Sequence, residues 1–448
     1  MPTELALRGR TRGTLTSGIE QIDGRTVVLV ESDPFLRRGA LSPDDGEKLT
    51  AAARLALRIR RPLVLVLASS GADIREGLPA LHGWAVAARA IASLSGIVPV
   101  LAVVDGPAVS GPALLLGLAD QVVMTRDAYA FVSGPAMVAD FTGEEVSNAT
   151  LGGAAAHGRS TGAAGLVVED RAAALDVIAE LLSFLPDHTD ELPVILASGD
   201  PADRSTPEAG ALLPDTSTGS YDVRDVLRCV VDDGELLGLR EEWAPNLVTA
   251  LARLDGRAVG IVANQPMAIA GTLDIPSSQK GARFVAFCDA FNLPLVTFVD
   301  TPGFYPGKDL EWRGMIRHGA QLAFAYARAT VPRVCVVLRK SYGGAYIVMD
   351  SRFMGNDLYL AWPSAEIAVM GAGQAAAILQ RRATAAERAA FEADYSATLL
   401  NPYVAAGRGS VDAVIDPADT RAALCRALAT LGAKRERLGR RRHDNTPL

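Results

Sequence analysis

The stretch PVLAVVDGPAVSGPALLLGLA, residues 99–119, decides the fold class of this chain. It begins with an apolar, valine-rich run, continues with small residues that include Gly106 and Gly111, and ends in a further apolar segment. A continuous apolar strand that leads through a glycine-bearing loop into a helix is typical of sheets whose parallel strands are covered by helices. The stretch therefore predicts an α/β fold.

The same order of elements extends towards the N-terminus. Apolar runs predict strands, and the spacing of Leu49, Ala52, Leu55 and Ile59 predicts a helix with one buried face. The predicted strands are 25–30 (RTVVLV) and 63–71 (LVLVLASSG), and the predicted helices are 48–61 and 81–95.

The second half of the chain repeats this order, ending in RVCVVLRKSYGGAYIVM at 333–349. Residues 48–62 and 280–294 each span fifteen positions, at an offset of 232. Gly111 and Gly344 each lie twelve residues beyond the proline that closes the preceding predicted helix. These agreements indicate a tandem duplication. We expect an N-terminal domain over 1–187, a Pro- and Ser-rich linker over 188–222 and a C-terminal domain over 223–448.

Composition excludes several classes of function. The 448 residues carry a formal net charge of −7, which gives no reason to expect nucleic-acid binding. The four cysteines lack metal-ligand spacing, so we expect a reduced, cytoplasmic protein without a metal. The first 18 residues lack the apolar segment of a signal peptide, and the apolar runs are far shorter than the roughly 20 residues that span a membrane.

The two glycine-bearing loops, 106–113 and 340–346, carry the candidate chemistry. Each places backbone N–H groups at the start of a helix, where they can stabilise a developing oxyanion. Either loop could instead be only a tight packing turn. Nucleotide-binding glycine motifs and the HExxH motif are absent from the sequence. Asp300, which ends a predicted strand before Thr301, is expected to cap a turn rather than act as a base.

Ordered motifs identify a family. They are SSGADIREG (69–77) and FTGEEVSNATLGGAAAH (141–157) in the first half, and ANQP (263–266), DTPGFYPG (300–307), IRHGA (316–320), RKSYGGAY (339–346) and LAWPSAEIAVMGA (360–372) in the second. Together they resemble the carboxyltransferase (β) subunit of biotin-dependent acyl-CoA carboxylases, the propionyl-CoA and acetyl-CoA carboxylase group.

The resemblance implies two crotonase-like domains, assembled as a homo-hexamer, in which acyl-CoA binds the N-terminal domain and biotin the C-terminal domain. It implies transfer of a carboxyl group from carboxybiotin to the α-carbon of a short-chain acyl-CoA, for fatty acid or polyketide precursor supply. No biotinylation site or ATP-grasp pattern occurs in the chain, so biotin would be carried by a separate biotin carboxylase and carrier subunit.

The family motifs map site residues onto this sequence. They imply oxyanion donors for the thioester at Ser110 and Gly111 and for the biotin carbonyl at Gly344 and Ala345; acyl-CoA contacts at Gly71, Ala72, Asp73, Ile74, Tyr346 and Ile347; and biotin contacts at Pro302, Gly303, Phe304 and Gly343.

Departures from the family pattern concentrate in the first half. Asp73 stands where an arginine on the CoA side is expected, and Ser110, Gly111 and Pro112 replace Gly-Gly-Ala. We therefore expect altered CoA affinity and an altered first donor pair, because proline has no N–H. Two alternatives stay open: a malonyl- or methylmalonyl-CoA decarboxylase, and a non-catalytic paralogue that assembles with an active β subunit. A crotonase-type hydratase is less well supported, since it needs one half only and a catalytic glutamate.

Overall fold

The computed structural model describes residues 13–216, 218–432, 434–439 and 445–447. The chain divides into two compact units. The first unit runs to Val194 and includes Arg240–Trp243, and the second holds Ile195–Leu239 and the residues from Ala244 onward. Much of the Pro- and Ser-rich segment 188–222 contributes to the second unit, where Ala209 and Tyr221 are buried.

In the described part of the first unit, the strands are β1 (Leu15–Ile22), β2 (Arg25–Ser32), β3 (Leu63–Ser69), β4 (Val100–Val109), β5 (Gln121–Thr125), β6 (Tyr129–Phe131) and β7 (Leu166–Val168). Its helices are α1 (Pro43–Ile59), α2 (Leu78–Ala92), α3 (Gly111–Leu116), α4 (Pro135–Thr142), α5 (Asn148–Gly152), α6 (Ala154–Ala156) and α7 (Arg171–Phe184).

In the described part of the second unit, the strands are β8 (Leu237–Gly238), β9 (Leu247–Leu254), β10 (Arg257–Asn264), β11 (Leu295–Thr301), β12 (Arg333–Tyr342), β13 (Leu358–Ala361), β14 (Glu366–Ala368) and β15 (Ala413–Val414). Its helices are α8 (Pro207–Ala211), α9 (Val223–Val230), α10 (Ile275–Ala290), α11 (Lys308–Trp312), α12 (Met315–Arg328), α13 (Gly343–Val348), α14 (Ala372–Leu379), α15 (Ala385–Tyr395), α16 (Pro402–Gly407) and α17 (Thr420–Leu431).

Each unit is built on one mixed sheet. The order in the first is β1-β2-β3-β4-β5-β7, and β6 pairs with the end of β4. The order in the second is β15-β13-β12-β11-β10-β9-β8, and β14 pairs with the end of β12. The antiparallel pairs are β1 with β2 in the first unit, and β9 with β10 and with β8 in the second. The central strands are parallel. The α/β expectation is confirmed.

Two central strands, β3 and β11, are buried along their whole length, which explains their unbroken apolar sequences. All seven residues of β3 are buried, and so are all seven of β11. Burying a valine or leucine side chain contributes roughly 1.5–3 kcal/mol. The helices that cover these strands begin with matched caps: Ser42 and Asp45 form a capping box at α1, and Asp274 and Ser277 form one at α10.

The duplication is visible in the backbone. Residues with positive φ recur in both units at an offset of 232 or 233 positions, although most are not glycine: Asp23 and Asp255, Arg37 and Ile269, Arg38 and Ala270, Arg60 and Asn292, and Ser110 and Gly343. Because such conformations are costly for residues with a Cβ, their repetition reflects a shared chain path rather than local chance.

Candidate active site

The first candidate loop of each unit joins a central strand to a short helix. β4 ends at Val109, Ser110 adopts φ +62° and ψ −119°, and α3 begins at Gly111. In the second unit β12 ends at Tyr342, Gly343 adopts φ +59°, and the chain enters α13. The sharp left-handed step lets the helix start directly after the strand. The leading N–H groups of each helix have no acceptor within the helix.

A second loop follows the neighbouring strand in each unit. Gly71, after β3, accepts the Leu41 N–H at 2.8 Å, and Asp73 N–H donates to the Leu41 carbonyl at 2.8 Å. Because N–H groups alternate in direction along an extended segment, this bridge leaves the intervening Ala72 N–H on the other side.

The second unit repeats this bridge. Leu273 N–H donates to the Gly303 carbonyl at 3.1 Å, and Tyr305 N–H donates to the Leu273 carbonyl at 2.8 Å. The intervening Phe304 N–H therefore points away from this bridge, as the Ala72 N–H does in the first unit.

The two loops of each unit adjoin. In the first unit, a Cβ built on Gly71 would lie 3.2 Å from the Val109 carbonyl oxygen and 3.7 Å from the Ser110 Cβ. In the second, a Cβ built on Gly344 would lie 3.3 Å from the Phe304 ring. Each unit thus brings a glycine-rich strand end beside a helix start, an arrangement that can hold a developing oxyanion by backbone donors.

The structure changes the expectation for Ser110. Its backbone N–H donates to the Phe131 carbonyl oxygen at 2.9 Å, which extends the pairing of β4 with β6. That N–H is therefore engaged within the sheet and does not serve as an oxyanion donor in this structure. Pro112 has no N–H, so Gly111 supplies the remaining leading donor of α3. Ala72, on the adjoining loop, is the available second donor.

Gly111 is also required for packing. A Cβ at this position would lie 2.6 Å from two atoms of the Trp84 indole ring on α2. Neither Trp84 nor Phe131 was expected from the sequence to support the loop. The ring lies 27 residues before Gly111, and no local pattern signals that contact.

Asp73 is buried, although it occupies a position expected to face CoA. Its carboxylate accepts Arg75 Nε at 2.9 Å and Nη2 at 2.7 Å, and Arg37 Nη1 at 3.1 Å. The hydrogen bonds from Arg75 hold the pKa of Asp73 below its usual value, so the carboxylate stays ionised. The acid is therefore neutralised by two arginines instead of presenting a free negative charge. The adjacent Ile74 side chain is exposed.

In the second unit, Asp300 organises the base of the α13 loop. Its carboxylate accepts the Tyr221 hydroxyl at 3.0 Å, Arg339 Nε at 3.0 Å and the Lys340 backbone N–H at 3.1 Å. Burial raises the pKa of Asp300, and the positive charge of Arg339 opposes this shift. The expected turn cap was wrong, because Thr301 Oγ1 accepts the Gly303 N–H instead. Asp300 ties β11 to β12 just before Gly343.

The remaining predicted positions lie on or beside these loops. Gly344 is exposed, whereas Ala345 is fully buried in α13. The Tyr346 ring packs edge-on against Tyr359, with centroids 6.2 Å apart, and Ile347 is 48% exposed. Pro302, Gly303, Phe304 and Gly343 are partly exposed.

Neither a metal-ligating cluster nor a membrane-spanning helix occurs in the described ranges. There, no three His, Cys, Asp or Glu side chains lie together in a way that could hold a metal ion. The same ranges contain no helix long and apolar enough to cross a membrane.

Comparison with known proteins identifies the family. Residues 3–446 match the carboxyl transferase domain. The chain is 44% identical to a propionyl-CoA carboxylase beta chain of Saccharopolyspora erythraea, covering 97% of this chain and 83% of the relative. It is 41% identical to a methylmalonyl-CoA decarboxylase subunit alpha of Veillonella parvula, covering 97% of this chain and 85% of the relative.

Solved structures agree with this assignment. A transcarboxylase 12S crystal structure, described as a hexamer with hydrolysed methylmalonyl-CoA bound, superimposes with a TM-score of 0.95 at 42% identity, covering 97% of this chain and 85% of that one. The expected pair of crotonase-like domains is confirmed by this match. The chain therefore belongs to the carboxyl transferase domain family, which confirms the resemblance found in its motifs.

Proposed function

We propose that this chain is the acyl-CoA carboxyltransferase subunit of a biotin-dependent enzyme, and that it transfers a carboxyl group from biotin on a partner protein to the α-carbon of a short-chain acyl-CoA. The single observation that carries the proposal is the duplicated loop pair within a chain of the carboxyl transferase family. In such a reaction negative charge develops on two carbonyl oxygens, that of the thioester and that of the biotin ring. Backbone N–H donors can stabilise both oxygens without a side-chain acid.

The first unit is suited to the thioester. The Ala72 and Gly111 N–H groups would hold the thioester oxygen while the α-proton leaves, which lowers the barrier to enolate formation. Removal of one such donor typically costs roughly 3–4 kcal/mol of activation free energy. The close approach of Gly71 to the Val109 carbonyl and of Gly111 to the Trp84 ring packs the two loops against their neighbours.

The second unit is suited to biotin, which supplies the transferable carboxyl group when its carrier delivers it. The exposed surface at Gly344 and the partly exposed Phe304 beside it fit a flat, uncharged ring. We assign Gly344, with Ala345 or Phe304, as donors to the ring carbonyl, and Pro302, Gly303 and Gly343 as the backbone that lines it. Tyr346 and Ile347 on α13 would contact the acyl chain, because Ile347 is half exposed there.

Quaternary structure and location belong to the same proposal. The transcarboxylase 12S relative is described as a hexamer, and we propose a homo-hexamer for this chain, working with a biotin carboxylase and carrier subunit in the cytoplasm. The four cysteines, all free, fit a reducing compartment.

A decarboxylase is the second candidate. It is favoured by the Veillonella relative, whose name is that of a methylmalonyl-CoA decarboxylase subunit. A decarboxylase needs the same enolate donors, so the geometry of the loops fits both reactions. The helix starts at Gly111 and Gly343, which keep leading backbone donors, weigh against a non-catalytic paralogue.

The test is to incubate the purified chain with malonyl-CoA or methylmalonyl-CoA, with and without free biotin, and to follow acyl-CoA and carboxybiotin. We expect acyl-CoA to form only when biotin is present. Acyl-CoA formation without biotin would establish the decarboxylase. No product from either substrate, with a biotinylated carrier also supplied, would overturn the proposed enzyme.

A further inference from the structure

We infer that Arg37, Arg38 and Arg75 bind the phosphates of the nucleotide portion of acyl-CoA. The three arginines lie on two joined loops of the first unit, and this inference rests on the proposed function. It assigns an anion site to three arginines for which the sequence analysis gave no role.

The two loops are joined by hydrogen bonds. Ser70 N–H donates to the Arg38 carbonyl at 3.1 Å, and Ser69 Oγ donates to the Gly39 carbonyl at 2.6 Å. Arg37 and Arg38 both have positive φ, 51° and 55°, so their side chains project from a tight left-handed turn. Such strain in consecutive non-glycine residues persists only where the surrounding contacts hold the chain in place.

Asp73 joins the guanidinium groups of the two loops. Its buried carboxylate takes both Nε and Nη2 of Arg75 and also Nη1 of Arg37. Arg75 is nevertheless 65% exposed, and Arg38 is exposed. Although Asp73 and Glu76 lie beside Arg75, the side chains of Arg75 and Arg38 stay exposed to solvent, where an anionic ligand can reach them. Guanidinium groups recognise phosphate oxygens by paired hydrogen bonds.

The second unit provides an internal comparison. Its equivalent turn carries Ile269 and Ala270 in place of the two arginines, with positive φ at both residues. Tyr305 and Gly307 occupy the positions that correspond to Asp73 and Arg75. The next cation, Lys308, lies over the Trp312 ring at 4.5 Å. One backbone frame therefore presents arginines in the first unit and uncharged residues in the second, as expected if only the first holds a phosphate-bearing ligand.

An exposed aromatic ring points to a nucleotide rather than to free phosphate. Phe35, two residues before Arg37, is 97% exposed. A base stacked on such a ring gains roughly 1–3 kcal/mol in single-stranded nucleic-acid complexes. Arg75 is the fourth residue after Gly71, so it lies within about 14 Å of chain from the thioester loop. The thioester end and the nucleotide end of one CoA ester would thus both contact the first unit.

The experiment measures binding of CoA, 3′-dephospho-CoA and pantetheine to the purified full chain by calorimetry. We expect Arg75→Gln, Arg37→Gln and Arg38→Gln each to weaken CoA binding by roughly 10- to 100-fold and to leave pantetheine binding unchanged. Arg126→Gln is the matched control, since Arg126 is 68% exposed and also pairs with a carboxylate, Glu169. It should bind CoA as the parent does.

The outcomes separate this inference from the proposed function. Unchanged CoA affinity in all three arginine variants of a chain that transfers carboxyl groups overturns the arginine site alone. Arginine-dependent CoA binding in a chain that shows no transfer overturns the proposed reaction and supports the site. A loss for CoA but not for 3′-dephospho-CoA places the arginines at the 3′-phosphate, and equal losses place them at the diphosphate; both support the site.

Discussion

Replacement of Ser110 by glycine tests whether the first loop is held under backbone strain. Ser110 has φ +62° and ψ −119°, outside the regions open to residues with a Cβ, whereas the second unit has Gly343 with φ +59° at the matching step. A non-glycine residue held in such a region costs about 1–3 kcal/mol. Ser110→Gly should remove that cost without disturbing the N–H that donates to the Phe131 carbonyl.

The expected gain is smaller than the strain, because glycine has more freedom in the unfolded chain. That freedom returns about 0.4–1 kcal/mol to the unfolded state. We therefore expect a net stabilisation of about 1 kcal/mol. In a unit of this size, 1 kcal/mol corresponds to a rise in Tm of roughly 2–4 °C.

Thermal unfolding of the full chain, followed by calorimetry and tryptophan fluorescence, measures this gain. The Trp84 ring packs against Gly111, beside the substitution, and reports on the first unit. Ser110→Ala is the matched control, because it removes the hydroxyl and keeps the Cβ; its Tm should stay close to that of the parent. Gly343→Ser should lower the stability of the second unit, where the new Cβ would also lie 3.2 Å from the Val369 carbonyl oxygen.

Two results would refute the reasoning. One is a Tm for Ser110→Gly no higher than that of the parent. The other is an equal rise in Ser110→Ala, which would assign the effect to the hydroxyl and not to the backbone. Either result would mean that the chain path at Ser110 is relaxed.

Further predictions concern the second unit. Gly344→Pro should lower kcat by roughly 100- to 1,000-fold through loss of a backbone donor, while circular dichroism shows a retained fold, because proline is tolerated in the first turn of a helix; a kcat near the parent's would remove Gly344 from the donors. Asp300→Asn should cost about 3–5 kcal/mol in unfolding free energy, because it leaves the buried Arg339 charge uncompensated. The control Asp309→Asn, at an exposed pair, should cost less than about 1 kcal/mol in the same urea titration, and equal costs would contradict the buried network. Asp222 has a pKa lowered to about 2, because hydrogen bonds from Arg224 and Gln265 outweigh the opposing effect of burial. Its stabilising contribution should therefore be complete above pH 4 and disappear as the pH falls towards 2, so the difference in unfolding free energy between the parent and Asp222→Asn should shrink over that range; a difference independent of pH would contradict the shift.

Much of the fold could be predicted from the sequence. Unbroken apolar runs such as 63–69 predict buried parallel strands, and the structure buries every residue of β3. The offset of 232 positions predicts the duplication, since a copied chain keeps its spacing even where residue types change. The backbone confirms this at Arg60 and Asn292, two unlike residues with φ of 57° and 59°.

The candidate site could be predicted only in part. Both glycine-bearing loops lie at helix starts as expected. The hydrogen-bond partners of individual site residues could not be predicted, because those partners lie far away along the chain. Ser110 donates to Phe131, 21 residues away, and Asp300 accepts from Tyr221, 79 residues away. Neither separation has a local sequence signal.

The duplicated architecture and the family were determined by the sequence alone, because apolar periodicity and motif spacing are local properties that the chain carries before it folds. The charge and hydrogen-bonding state of the site were decided by tertiary structure. Asp73 is an acid in the sequence, yet folding buries it between Arg37 and Arg75 and removes its charge from the surface. The sequence assigns no partner to the Ser110 N–H, yet in the folded chain this group donates to the Phe131 carbonyl oxygen as part of the sheet. In both cases the deciding partner lies on another element, which only the folded chain brings within hydrogen-bonding distance.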